Sequence, residues 1–136
     1  MLYGQYHEKD ALRFLKEELK LDVKPSGFFV DTEFGYLGAT PDGLIGEEGI
    51  IEIKCPHSCE NLTPYEAIES RKFTFWNFDK KEKAVGEINR RHRFFFQVQG
   101  QLHITNRLYC IFVLWTKKEV KTVRIEKDDT FWKSHK

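Results

Sequence analysis

Apolar residues in the first twenty positions recur at Ala11, Leu12, Leu15 and Leu19. That is the spacing of one helical face, so residues 7–20 are predicted as a helix, closed off by Pro25. The period then changes. Phe28, Phe29 and Val30 form a short strand within residues 26–31, and residues 35–45 form another, broken by the Pro41-Asp42-Gly43 turn signal. Glu47-Glu48-Gly49 is a tight reversal, and residues 50–55 alternate strictly until Pro56 stops them. Thr63-Pro64-Tyr65-Glu66 has the form of a helix start, with Thr63 as cap, Pro64 as first helical residue and Glu66 as capping-box partner. Residues 70–88 alternate around Phe73, Phe75 and Phe78 and then turn charged, as in a strand or irregular hairpin with an exposed tip. Residues 89–104 form a second long helix that turns Phe94, Val98, Leu102 and Phe95 to the core. A buried strand over 108–116, a turn at 117–119 and a partner strand over 120–127 follow, and Asp128-Asp129 cap a last helix. The order gives an α/β (α+β) domain with a mixed central β-sheet flanked by helices.

Composition narrows this picture. A chain of 136 residues suits one domain that buries a core without a disulfide or metal staple. Twelve Phe in 15% aromatic residues argue against disorder. No stretch is apolar enough to span a membrane, and the polar start MLYGQYHEKD is no signal peptide. Three cysteines point to a reducing intracellular compartment, cytoplasm or nucleus, and not to secretion. Cys55-x-His57-x-Cys59 lacks the second ligand pair that a closed zinc site needs, and Cys110 reads as a small core residue. Charge is uneven: residues 1–69 carry 6 Lys/Arg against 14 Asp/Glu, whereas residues 70–136 carry 16 against 7. An acidic half suited to a cation thus joins a basic half suited to phosphate, although solvated faces explain the same counts.

The chemistry concentrates in Ile50–Lys54, where alternation puts Ile51 and Ile53 on one face and Glu52 and Lys54 on the other. Either this is an edge strand with an exposed charged face, or two charges stand inside the domain for a reason. The reversal at 47–49 folds Asp42 toward Glu52. Two carboxylates held close repel unless a divalent cation lies between them, and oxygen-only ligation points to Mg²⁺ or Mn²⁺. A lysine at the rim of such a site orients a water or neutralises charge developing on phosphorus.

Asp42-x9-Glu52-x-Lys54 resembles the PD-(D/E)xK nuclease signature. GYLGATPDGLI, GIIEIKCP, FFFQVQGQLHIT and CIFVLWT follow in the order of the YqaJ-like, lambda-exonuclease-like viral recombinase family. Tyr3-Gly4-x3-Glu8-x2-Ala11 is similar to that family's first-helix pattern, and the resemblance covers about residues 3–127. It implies a restriction-endonuclease-like core and a Mg²⁺-dependent exonuclease that degrades linear double-stranded DNA 5′ to 3′ during recombination, with two Mg²⁺ (or Mn²⁺) ions per site. It implies Asp42 as the metal-bridging residue, Glu52 and the Ile53 carbonyl as further ligands, and Glu8 sent toward the metals by the first helix. Lys54 would position the attacking water, and Gln97 would line the site. A single-strand annealing protein and a ring-shaped homotrimer are the partners it implies. The chain starts almost at the Gly-x3-Glu helix, so it is expected to lack the family's N-terminal segment and to be a piece of a longer protein.

Further expectations concern DNA. Gln97 and Gln101 are i,i+4 neighbours, and Arg93 and Arg90 continue roughly the same stripe, which either faces a phosphate backbone or is the helix's solvated side. Lys80 and Lys81 sit in the charged insert, as a solvated tip or as phosphate grips. Phe75 and Trp76 either stack on bases or pack in the core. Two other functions remain open: a DNA-binding recombination module with impaired catalysis, and an endonuclease on the same scaffold.

Overall fold

The computed structural model describes residues 2–27, 29–30 and 38–134; for 2–7, 29, 30 and 39 the description is of the backbone. In chain order the elements are α1 (Leu2–Glu17), β1 (Val23–Lys24), β2 (Phe29–Val30), β3 (Gly38–Ala39), β4 (Gly43–Ile45), β5 (Gly49–Lys54), α2 (Pro64–Glu69), β6 (Trp76–Asp79), β7 (Ala84–Ile88), α3 (Arg93–Thr105), β8 (Tyr109–Trp115), β9 (Val120–Glu126) and α4 (Asp129–Ser134). A three-residue 3₁₀ turn covers His57–Cys59. Five strands form one mixed sheet in the order β1-β4-β5-β8-β9. The β5–β8 pair is parallel and the others are antiparallel. Of the residues expected in the first two strands, 28, 31 and 35–37 lie outside the described ones.

β5 is an interior strand, which overturns the edge-strand reading of its charged face. Its alternation sends side chains into two cores. Ile51 and Ile53, with Val113, Val23 and Ile45, meet Ala11 and Leu15 of α1. Ile50, with Phe112, Leu114 and Ile125, meets Phe95, Val98 and Leu102 of α3 and Ile68 of α2. Phe75 and Trp76 belong to this second core and are buried, with the Phe75 and Phe112 rings 4.5 Å apart. They are therefore core residues and not a stacking platform for bases.

Local chemistry sets the element ends. Thr63 Oγ1 accepts from Glu66 N at 3.1 Å while Glu66 Oε1 accepts from Thr63 N at 2.9 Å, the reciprocal capping box expected for α2. Residues 76–88 form a hairpin with an irregular register between Trp76 and Phe78. Its exposed tip carries Lys80 and Lys81, and Asp79 Oδ1 accepts from Lys81 N at 2.9 Å. α3 starts at Arg93, four residues later than its periodicity predicts. Asn89 Oδ1 accepts from Arg91 N and His92 Nδ1 accepts from Phe94 N, so these side chains take up backbone donors before the helix begins. Asn106, with φ 55°, ends it. Gln99 is fully buried yet satisfied: Nε2 donates to Glu126 O and Oε1 accepts from Asp128 N, each at 2.8 Å. That amide ties α3 to the β9–α4 connection. Among the described residues no helix is long and apolar enough to cross a membrane.

The β4–β5 reversal is fixed from outside. Gly46 has φ +54°, and Arg107 Nη1 donates to the Gly46 and Gly49 carbonyls at 2.9 and 3.0 Å. A Cβ on Gly49 would lie 2.5 Å from the Tyr109 ring, which is itself held beneath Arg124 at 3.8 Å. Gly49→Ala is expected to lose about 1–3 kcal/mol, the usual penalty of overpacking. Urea denaturation of Gly49→Ala in the wild-type and Tyr109→Ala backgrounds measures it. An equal loss in both backgrounds would show that the ring contact is not the cause.

Candidate active site

The site forms where β4 leaves β5. Gly43 pairs with Ile51 and Asp42 N donates to Ile51 O at 3.0 Å, but no β4 residue lies opposite Ile53. The Asp42 side chain takes that place, and its Oδ2 accepts from Ile53 N at 2.7 Å. Asp42 is thus held by the strand it completes. Ile53 N–H and C=O point to the same side of an extended strand, so the Ile53 carbonyl faces the gap beside Asp42.

Glu52 and Lys54 project from β5 toward α3. Gln101 Nε2 donates to Glu52 Oε2, and Lys54 Nζ donates to Gln97 Oε1 at 3.4 Å. Two strand residues span about 6.6 Å and four helix residues rise about 6 Å, so the pairs Glu52–Gln101 and Lys54–Gln97 stay in step along antiparallel axes. Phe94, one turn further along, carries Lys54 Nζ 4.5 Å from its ring centre. Glu8 comes from the other face. It lies one turn before Leu12 and two before Leu15 on the side of α1 that packs on Ile51 and Ile53, which brings it to Asp42.

Of the residues singled out in the sequence, the structure gathers Glu8, Asp42, Glu52, Ile53, Lys54, Gln97 and Gln101. Arg93 is adjacent, above the Phe94 ring at 5.3 Å. Arg90 points elsewhere: it pairs with Asp128 and covers Phe95 at 4.9 Å. Lys80 and Lys81 stay at the β6–β7 tip. Cys55, His57 and Cys59 do not converge, since Cys59 is buried in the core and His57 faces Glu60 at 3.9 Å. Two cavities adjoin the cluster. One, of about 340 Å³, shares Lys54 and is lined also by Lys72, Thr74, His92 and Arg93. The other, of about 300 Å³, shares Glu8 and Asp42 and is lined also by Lys16, Lys24 and Thr40. Lys72 and His92 carry no motif that marks them in the sequence; only the tertiary fold brings them to Lys54.

The family profile of the YqaJ-like viral recombinase domain matches residues 1–108. The chain belongs to that family. Its fold is similar to the crystal structure of an alkaline exonuclease, LHK-Exo, from Laribacter hongkongensis, at 25% identity and a TM-score of 0.74 over 98% of this chain and 61% of that one. The structure of LHK-Exo in complex with dAMP matches at 27% identity, the same TM-score and the same coverage. The chain therefore spans about three-fifths of the length of these relatives. No curated protein matches the sequence.

In this YqaJ-like domain the carboxyl groups strain against one another. Burial, then the Asp42 charge and a side-chain hydrogen bond to Asp42, push the Glu52 carboxyl up to about 9 despite Lys54 nearby. Burial and Asp42 likewise push Glu8 up to about 7. Glu52 is only 8% exposed, so water cannot screen this repulsion. Among the described residues no three His, Cys, Asp or Glu side chains are already disposed as a metal-ligand cluster. The fit to a cation rests on the donor set: three mutually repelling carboxyls, a backbone carbonyl beside them, and Gln101 Oε1, a buried oxygen without a hydrogen-bond partner. Those are hard oxygen donors suited to Mg²⁺ or Mn²⁺.

Both raised carboxyls stabilise the fold below their unfolded value of 4.5, where they are protonated in either state, and that support is lost as pH rises through about 7 for Glu8 and about 9 for Glu52. In EDTA, thermal melts are expected to show stability falling from pH 5 to pH 9, less steeply in Glu52→Gln. Parallel pH profiles for the two proteins would show that Glu52 is not the strained group.

Proposed function

We propose that this chain is a divalent-cation-dependent DNA exonuclease domain that hydrolyses phosphodiester bonds of linear double-stranded DNA from the 5′ end. The observation that carries the reading is the convergence of Glu8, Asp42 and Glu52 beside Lys54 on an interior strand, a charge arrangement with no structural purpose of its own. Membership of the YqaJ-like family and likeness to an alkaline exonuclease support it.

Asp42, Glu52 and the Ile53 carbonyl would hold Mg²⁺ or Mn²⁺, with Glu8 oriented toward the same place. A bound cation supplies Lewis-acid polarisation of the phosphoryl oxygen and a water of lowered pKa. Lys54 places its ammonium beside the reacting phosphate, where it orients the water and offsets the charge that develops in the transition state. Gln97 fixes that ammonium from one side, and the Phe94 ring supports it from another. Gln101 orients Glu52. DNA approaches through the two cavities, both of which carry lysines.

The test is cleavage of a linear 5′-phosphorylated duplex and of a covalently closed circle, each in Mg²⁺ and in EDTA. Loss of the linear substrate alone, in Mg²⁺ alone, is expected; cutting of the circle would convert the assignment to an endonuclease. Asp42→Asn keeps an acceptor for Ile53 N and thereby spares the strand, and it is expected to abolish cleavage without lowering the melting temperature, since it removes a charge that repels Glu8 and Glu52. Lys54→Ala is expected to lower kcat by about 10²–10³-fold, the cost of removing a transition-state charge donor. Calorimetric Mn²⁺ binding should survive that change, and its loss would make Lys54 an organiser of the cation site instead.

A further inference from the structure

Several basic side chains on this domain are held by carboxylates. Arg90 pairs with Asp128, Lys117 with Glu60, Arg124 with Glu126 and Lys127 with Asp129. Lys72 and Arg93 pair with no carboxylate among the described residues, and both line the 340 Å³ cavity beside Lys54. No acidic residue lines that cavity. Three cations thus surround a space that contains no negative group, an arrangement that an anion relieves.

The cavity is also organised. Phe94 carries Lys54 and Arg93 on its ring, at 4.5 and 5.3 Å from the centre, which limits their wandering. His92 Nδ1 is occupied as the acceptor that caps α3, 3.1 Å from Phe94 N. Burial, then Arg93 and Lys54, lower its pKa, so the ring is neutral and its proton sits on Nε2. His92 therefore brings a donor to the cavity without adding charge.

We propose that this cavity binds an internal phosphodiester of the DNA strand adjacent to the cleaved bond, with Lys72 and Arg93 supplying charge and His92 a neutral hydrogen bond. The proposal rests on the nuclease reading above. An internal phosphate is favoured because the cavity shares Lys54 with the carboxyl cluster, so a strand drawn past Lys54 continues into it. A terminal phosphate carries the same chemistry, and the experiment separates the two.

The experiment uses the full chain with Asp42→Asn to silence cleavage. It measures fluorescence anisotropy of a labelled duplex over a range of KCl, with a 5′-phosphate or a 5′-hydroxyl end. Lys72→Gln and Arg93→Gln are each expected to reduce the slope of log K against log[KCl] by about 0.9, the loss of one phosphate contact, equally on both duplexes. His92→Asn keeps an acceptor for Phe94 N; it is expected to weaken binding a few-fold and leave the slope alone. Lys72 is exposed, so Lys72→Gln remains informative even where His92→Asn disturbs the Phe75 and Phe94 contacts. Unchanged slopes in both Lys72→Gln and Arg93→Gln overturn the proposal. A change confined to the 5′-phosphorylated duplex also overturns it, since the cavity then reads a terminus. Absence of duplex binding by the Asp42→Asn parent overturns it as well, and the wild-type cleavage assay decides separately whether the nuclease reading falls with it.

Discussion

A carboxyl group inside a β-sheet is costly, and Glu52 stands on an interior strand with 8% of its surface exposed. The surrounding structure responds to that cost. Gln101 donates to Glu52 from α3, Lys54 adds a compensating charge two residues on, and protonation is driven upward. None of these relieves the second problem, which is that Asp42 and Glu8 press on the same space. A fold that only needed stability would place an apolar residue at position 52, as it does at 50, 51 and 53. The cluster is a stored electrostatic strain, the kind that a divalent cation would relieve under the nuclease reading proposed above.

Precision at this point comes from parts that take no share in the chemistry. Asp42 is anchored to Ile53 N because β4 begins only at Gly43 and leaves no strand residue opposite Ile53, and the turn that follows β4 is clamped by Arg107 and by the lack of a side chain at Gly49. α3 is held at the correct height by Gln99, whose two buried hydrogen bonds reach the β9–α4 connection. The match between a two-residue strand step and a four-residue helix step then lets one helix serve both Glu52 and Lys54. A slip of one residue on β5 would turn both charges into the α1 core.

The elements were legible wherever period and caps agree. The capping box at Thr63–Glu66, the paired strands after residue 108 and the β6–β7 hairpin all follow from local chemistry, and the structure contains them. β1 has only two residues, too few to show a period, and it exists because Ile45 and Leu44 offer it an edge. The start of α3 was misplaced because side-chain competition for backbone donors, at Asn89 and His92, does not register in apolar spacing. Arg90 shares a helical stripe with Arg93 in the sequence but is diverted by Asp128, a residue 38 positions away.

The sequence by itself brought the candidate site residues together. Asp42, Glu52 and Lys54 lie close along the chain, joined by one reversal, so turn chemistry and strand alternation suffice to bring them together. It also carried the family, whose motifs extend over most of the chain. Tertiary structure decided everything that depends on two faces meeting across a long loop. It buried Glu52 by making β5 an interior strand, moved Gln101 from an outward stripe onto that carboxyl, and assembled Lys72, His92 and Arg93 around Lys54. The reason is physical: local sequence sets the direction in which a side chain leaves its own backbone, whereas burial, charge coupling and cavity lining depend on which other backbone lies opposite.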